Sequence, residues 1–266
     1  MKARLPLAAF IFSSVVTFML SVVGARDLRE PQVILLDAGN GISALVVSED
    51  ARVLIASGND PIALGNALAS VRRLTSNRID VLVDTTVGDS SFDTPARRTI
   101  SLGDFPVAHG SFSQNRPATS LPNPMLLELP GDVHLEIATR ARDASAATPT
   151  LAWRALIRSA GATVVVLSRS ADAALFPTVE GVTAVVVSLG TSTIADLPID
   201  TALIVVGATS SAGEGRRLRE EVASTSGTPI WVDRLFPNQA IRLRFDVNGL
   251  VVPESAQLVH PTSGAS

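Results

Sequence analysis

Short apolar runs rich in β-branched residues recur along this chain, separated by clusters of Gly, Asn, Asp and Ser. The first four, Val33 to Leu36, Ala44 to Val47, Val53 to Ile55 and Val81 to Val83, read as strands. Asp37-Ala38-Gly39-Asn40-Gly41, Ser48-Glu49-Asp50 and Ser57-Gly58-Asn59-Asp60 punctuate them. Such turns offer positive-φ positions and side-chain caps, so the fold is expected to open with closely spaced antiparallel strands. Pro61 to Leu74 then carries Ile62, Leu64, Leu68, Val71 and Leu74 at helical spacing and ends on Arg72 and Arg73, where a helix dipole favours cations.

From Gly88 to Pro130 the composition turns to Ser, Thr, Pro and Gly, with Asn115-Arg116-Pro117 and Leu121-Pro122-Asn123-Pro124 as breakers, predicting long loops with short strands. The second half predicts a strand at Val133 to Ala138 and a helix at Ala152 to Ser159. Thr163 to Leu167, Val182 to Val187 and Ala202 to Val206 are continuous apolar runs, as strands buried on both faces require. A Gly-rich turn, Gly207 to Gly215, leads into a helix through Arg216 to Ser224. Strands at Pro229 to Val232, Ala240 to Phe245 and Leu250 to Val252 follow, and residues 253–266 are expected to form a flexible tail. Two strand-rich halves, each with helices, predict an α/β (α+β) fold of two facing mixed sheets with helices outside, occupying residues 32–252.

Ahead of this domain, Leu5 to Ala25 contains no charged residue. As a helix it would reach about 30 Å, the thickness of a bilayer's hydrocarbon core. Lys2 and Arg4 precede it, so the positive-inside rule keeps the N-terminus cytoplasmic and sends the domain across. Residues 1–26 are therefore expected to anchor a single-pass cell-membrane protein with an extracytoplasmic domain. Val23-Gly24-Ala25 also ends in small residues that a signal peptidase accepts, so secretion after cleavage following Ala25 is the alternative.

Charge and composition narrow the chemistry. The formal net charge is −3, and Lys2 is the only lysine. A strong nucleic-acid surface is not expected, although a local arginine patch is compatible with the count. With no cysteine, disulfides, thiolate metal sites and cysteine nucleophiles are ruled out. His109, His134 and His260 are the three histidines; they lie far apart in sequence and none belongs to an H-x-H pair.

The order of elements resembles the metallo-β-lactamase fold, in the version carried by the exported domain of ComEC-type DNA-uptake proteins. That family opens with D-x-G-Q-G-D-A and L-I-D-T-G, then a helix and T-H-x-H-x-D-H. Here Asp37 to Ala44, Leu54-Ile55-Ala56-Ser57-Gly58, a helix, and Leu82 to Ser91 follow in that order. Val166-Leu167-Ser168-Arg169-Ser170-Ala171 matches the family's L-L-T-G-D-A, Ser188-Leu189-Gly190-Thr191 matches H-H-G-S, and Val232-Asp233-Arg234 resembles the final T-D-x-x-G-x-I region. The resemblance covers about residues 32 to 252 and implies an αββα sandwich. It also implies that Thr86, Ser90, Ser91, Ser170 and Ser188 stand at ligand positions. Neutral hydroxyls cannot hold a metal pair that needs imidazoles and carboxylates, so no metal or other cofactor is expected.

Other constellations compete with ordinary structural roles. Asp84, Asp89 and Asp93 are candidates for a Mg²⁺ or Ca²⁺ site or for turn formation. His109-Gly110-Ser111 lacks the surroundings of a nucleophile elbow. Gly207 to Gly215 is either a strand-to-helix connection or an anion cradle, and Arg216, Arg217 and Arg219 with Glu220 and Glu221 read as an exposed helix face. Three functional readings follow. One is a non-catalytic domain that binds a protein partner in a cell-envelope assembly. Another is a hydrolase rebuilt on Asp84, Asp89 and Asp93 with His109 or His134. The last is an exported small-ligand-binding module with one parallel sheet.

Overall fold

The computed structural model describes residues 30–38, 41–57, 60–72, 79–85, 96–101, 124–142, 151–187, 197, 201–207, 212–225, 228–236 and 239–260. In chain order, β1 (Gln32–Asp37), β2 (Ile42–Ser48) and β3 (Ala51–Ala56) precede α1 (Pro61–Arg72), β4 (Ile79–Asp84) and β5 (Ala96–Ser101). Next come β6 (Met125–Leu129), β7 (Val133–Ala141), β8 (Leu151–Ser159), β9 (Ala162–Leu167) and a 3₁₀ turn, Ser170–Leu175. The remainder is β10 (Ala184–Val187), β11 (Leu203–Val206), α2 (Ala212–Thr225), β12 (Ile230–Arg234), β13 (Ala240–Asp246), β14 (Gly249–Val251) and β15 (Gln257–Val259).

The strands form two mixed sheets, one ordered β14-β13-β1-β2-β3-β4-β5 and the other β15-β12-β11-β10-β9-β8-β7-β6. The antiparallel opening expected from the turns is present: β1 pairs with β2 and β2 with β3, both antiparallel. The three continuous apolar runs form β9, β10 and β11, which pair in parallel, and β12 adds to β11 in the same direction.

Strand alternation sorts the apolar residues into three layers. Val33, Leu35, Val53 and Ile55 of the first sheet meet Trp153, Val164, Val166, Val186 and Val205 of the second in a shared interior. Ile34, Leu36, Leu45, Val47 and Leu54 point the other way, under Leu64, Leu68 and Val71 of α1. On the second sheet Val185, Val187, Ile204 and Val206 lie beneath Leu218 and Val222 of α2 and beneath Phe176. Each such aliphatic side chain contributes roughly 1.5–3 kcal/mol on burial. Asp60 starts α1, its Oδ1 accepting from the Ile62 and Ala63 N–H groups at 3.0 and 2.9 Å. Two facing mixed sheets with helices outside, as the sequence predicted, are therefore found, and the single parallel sheet required by the ligand-module reading is not.

Two local expectations are corrected. Ala152 to Ser159 is not a helix: it is the body of β8, antiparallel to both β7 and β9. Its position deep inside an eight-stranded sheet requires both faces to be covered, and here the order is Trp153, Ala155 and Ile157 inward with Ala152 and Leu156 outward. Nor is the chain after Pro253 wholly a tail, because β15 pairs antiparallel with β12 through Ile230↔Val259, Trp231↔Leu258 and Val232↔Gln257. This short strand supplies the edge partner that β12 would otherwise lack.

The sheets share one polarity. Ser48, at the end of β2, donates through Oγ to the Pro130 carbonyl between β6 and β7. Similarly, a Cβ at Gly249, the first residue of β14, would lie 3.9 Å from the Ala162 Cβ at the start of β9. Both contacts join the start of β3 and of β1 to the start of β9, so the C-terminal ends of β1, β3, β4, β9, β10, β11 and β12 share the opposite end, here called the mouth.

Candidate functional site

Strand direction brings Asp37, Asp84, Ser168 and Asp233 to the mouth, each at or just beyond the end of β1, β4, β9 or β12. Asp37, Asp84 and Asp233 are buried. The polar groups here are engaged locally. Thr85 donates from N and Oγ1 to the Ala56 carbonyl at 3.0 and 2.8 Å, tying the end of β4 to β3. Ser57 N donates to Ser43 Oγ at 3.0 Å, Ser43 Oγ donates to the Ser57 carbonyl at 3.1 Å, and Ser57 Oγ donates to the Ile42 carbonyl. Asp233 accepts the Arg234 N–H at 2.7 Å on Oδ1 and the Ser255 hydroxyl at 2.6 Å on Oδ2.

The tightest polar cluster was not among the residues singled out from sequence. Arg142, just past β7, donates from Nε to Asp172 Oδ1 at 2.8 Å and from Nη2 to Oδ2 at 2.7 Å. Ser168 donates from Oγ to the same Oδ2 at 2.5 Å and also caps β8, receiving the Trp153 N–H at 3.0 Å. The Asp172 side chain is 4% exposed and that of Arg142 is 22% exposed. A fork-to-fork pair of this kind uses both carboxylate oxygens. A carboxylate four residues beyond the end-of-strand Ser168, in the first turn of a helix, was the available signal; the partner Arg142 is 30 residues away and no local pattern points to it.

A second cation sits under the same loop. Arg154 is 6% exposed on the outer face of β8, with Nη1 donating to the Pro177 carbonyl at 2.6 Å and its guanidinium stacked 5.1 Å from the Phe176 ring centre. Glu136 stands 3.4 Å from it and 3.7 Å from Arg158. Burial lowers the Arg154 pKa from its ordinary value, and the Glu136 carboxylate opposes that shift. The guanidinium therefore pins the segment after the 3₁₀ turn onto the sheet.

The remaining sequence candidates divide into three groups. Thr86, Ser90, Ser91, Ser188, Asp89, Asp93 and His109 lie outside the described residues, as do Leu5 to Ala25 and residues 208–211 of the expected Gly207 to Gly215 turn, whose last four residues instead form the first turn of α2. Ser170 opens the 3₁₀ turn beside β9. His134 and His260 are found at the end opposite the mouth. β7 runs parallel to β9, so His134 near its start is roughly 25 Å of strand from Arg142. His260 follows β15, whose last residue pairs with the first of β12. A catalytic grouping of His134 with Asp84 is thus ruled out by strand polarity. His134 is exposed and meets Asp132 at 3.2 Å. Arg216, Arg217 and Glu220 are exposed on α2 as expected, while Arg219 donates to Gln257 Oε1 at 2.5 Å and so braces β15.

The described donors do not fit a zinc pair. Among the described residues, no three His, Asp or Glu side chains come together as a metal site. Asp172, two residues after Ser170, is already bound by a guanidinium. Among the described residues no helix is long and apolar enough to cross a membrane.

No protein-family model matches the chain. No curated protein matches it either. Among solved structures, one described as a zinc-dependent hydrolase of the metallo-β-lactamase superfamily from Thermotoga maritima superposes with a TM-score of 0.37 and 10% identity, over 68% of this chain and 78% of that one.

Proposed function

We propose that this chain is a membrane-anchored, extracytoplasmic domain related to the metallo-β-lactamase fold that binds or scaffolds a protein partner and carries out no metal-dependent hydrolysis. The observation that supports it is the pairing of Asp172 with Arg142. In a site that grips cations, carboxylates face an open mouth; here the carboxylate beside the family's ligand position accepts two hydrogen bonds from a guanidinium and one from Ser168. A metal ion would have to displace a resident cation to reach it, and the neutral Ser170 offers no replacement.

The likeness to ComEC-type exported domains in the order of elements motivates the cell-envelope setting. Leu5 to Ala25 motivates the anchor. The tether then enters at the start of β1, the end of the sandwich away from the mouth, leaving the mouth directed toward a partner.

Metal analysis of the purified full chain at neutral pH tests the central claim. Less than about 0.1 equivalent of zinc or manganese after dialysis is expected, whereas about two tightly held ions per chain would overturn it.

A further inference from the structure

A groove of about 680 Å³ runs along the edge of the first sheet, lined by Gln32, Arg242, Arg244, Val251 and residues 252–255. Arg242 and Arg244 are two apart on β13 and so share one face, the face opposite Leu243 and Phe245 of the interior. Arg242 is directly opposite Ile34, which is fully buried, and Arg244 is opposite Gln32, which is nearly so. Arg242 is therefore a half-buried cation beside the apolar Ile34, with no side-chain hydrogen bond or ion pair to another described residue, whereas Arg244 and Gln32 each already hold an interaction. Burying even part of a charge costs free energy unless something compensates it, and a guanidinium facing a cavity of small-molecule size invites an anion. Glu254 at the rim disfavours a dense polyanion and leaves room for a single phosphate group.

We infer that this groove binds one phosphate group, held by the Arg242 guanidinium, with Arg244 beside it adding positive charge to the same face. The bidentate geometry of guanidinium with phosphate oxygens is the recognition chemistry. Two sources share that chemistry, a free phosphate compound and the headgroup of an anionic phospholipid. The lipid source alone rests on the anchor reading. Six residues separate Ala25 from Gln32, a reach of at most roughly 25 Å, which would keep the groove near the membrane surface.

The test is calorimetric titration of the full chain in an uncharged detergent with three probes: inorganic phosphate, dihexanoyl-phosphatidylglycerol and dihexanoyl-phosphatidylcholine. Saturable binding of inorganic phosphate is expected, weakened at least about tenfold by Arg242→Gln and less by Arg242→Lys. Arg216→Gln, on the exposed face of α2, should leave it unchanged. Tighter binding of the phosphatidylglycerol than of either other probe assigns the lipid source; equal or weaker binding assigns a free phosphate compound, and in both cases the site stands. Absence of saturable binding by all three probes, or equal weakening by Arg242→Gln and Arg216→Gln, overturns the inference. Metal content does not enter this experiment, so its failure is separate from failure of the non-catalytic reading.

Discussion

Arg142 grips Asp172 through two parallel hydrogen bonds of 2.8 and 2.7 Å, linking the end of β7 to the turn that follows β9. The two partners differ in burial, and the consequences of losing either one should differ accordingly. Arg142→Ala strands an almost fully buried carboxylate and is expected to destabilise the domain by about 3–5 kcal/mol. Asp172→Ala leaves a guanidinium that water can reach, so its cost is expected to be smaller, about 1–3 kcal/mol. Urea unfolding monitored by circular dichroism would read both; a larger loss for Asp172→Ala would contradict the burial argument.

The Arg154 guanidinium offers a contrast. Truncation by Arg154→Ala removes the Pro177 hydrogen bond and the stacking on Phe176, an expected loss of about 2 kcal/mol. Arg154→Met keeps most of the volume and removes the desolvated charge, so it should cost less than the alanine variant. If both variants unfold at the same urea midpoint, the stacking volume that methionine retains contributes nothing at this position.

Gly249 turns β13 into β14 with φ +114, in a region that L-residues rarely enter, while a Cβ there would make only ordinary contact with Ala162. Gly249→Ala is therefore expected to cost about 1–3 kcal/mol through backbone strain alone. A shrinking substitution at Ala162 should not rescue it, and rescue by Ala162→Gly would show that crowding is the cause.

His134 is the control. Its side chain is 54% exposed and its one partner, Asp132, is more exposed still, so His134→Ala should change stability by no more than about 0.5 kcal/mol. A loss of metal content or of any hydrolytic activity in this variant would place His134 at the mouth beside Asp84.

In β8 the local pattern reaches its limit. As a helix, Trp153, Leu156 and Ile157 would share one face with Arg154 and Arg158 on another, a consistent amphipathic helix. As a strand, the same residues alternate, and Arg154 is left among buried neighbours on the outer face. The second arrangement is viable because Glu136, opposite Leu156 on β7, and the Pro177 carbonyl come from elsewhere in the chain to meet the cation. Both periodicities suit the segment, and only its neighbours choose between them.

By itself the sequence determined what depends on short range: apolar runs long enough for strands, turn residues between β1, β2 and β3, the helix that opens at Pro61, and a composition with three histidines and no cysteine. Tertiary structure decided which strands share a sheet and which ends face the same way. From that polarity follow the separation of His134 from Asp84, the pairing of Arg142 with Asp172, and the exposure of Arg242 to a groove. The physical reason is that hydrogen-bonded ladders and ion pairs join residues distant in the chain, and their energy depends on burial, which no window of neighbouring residues contains.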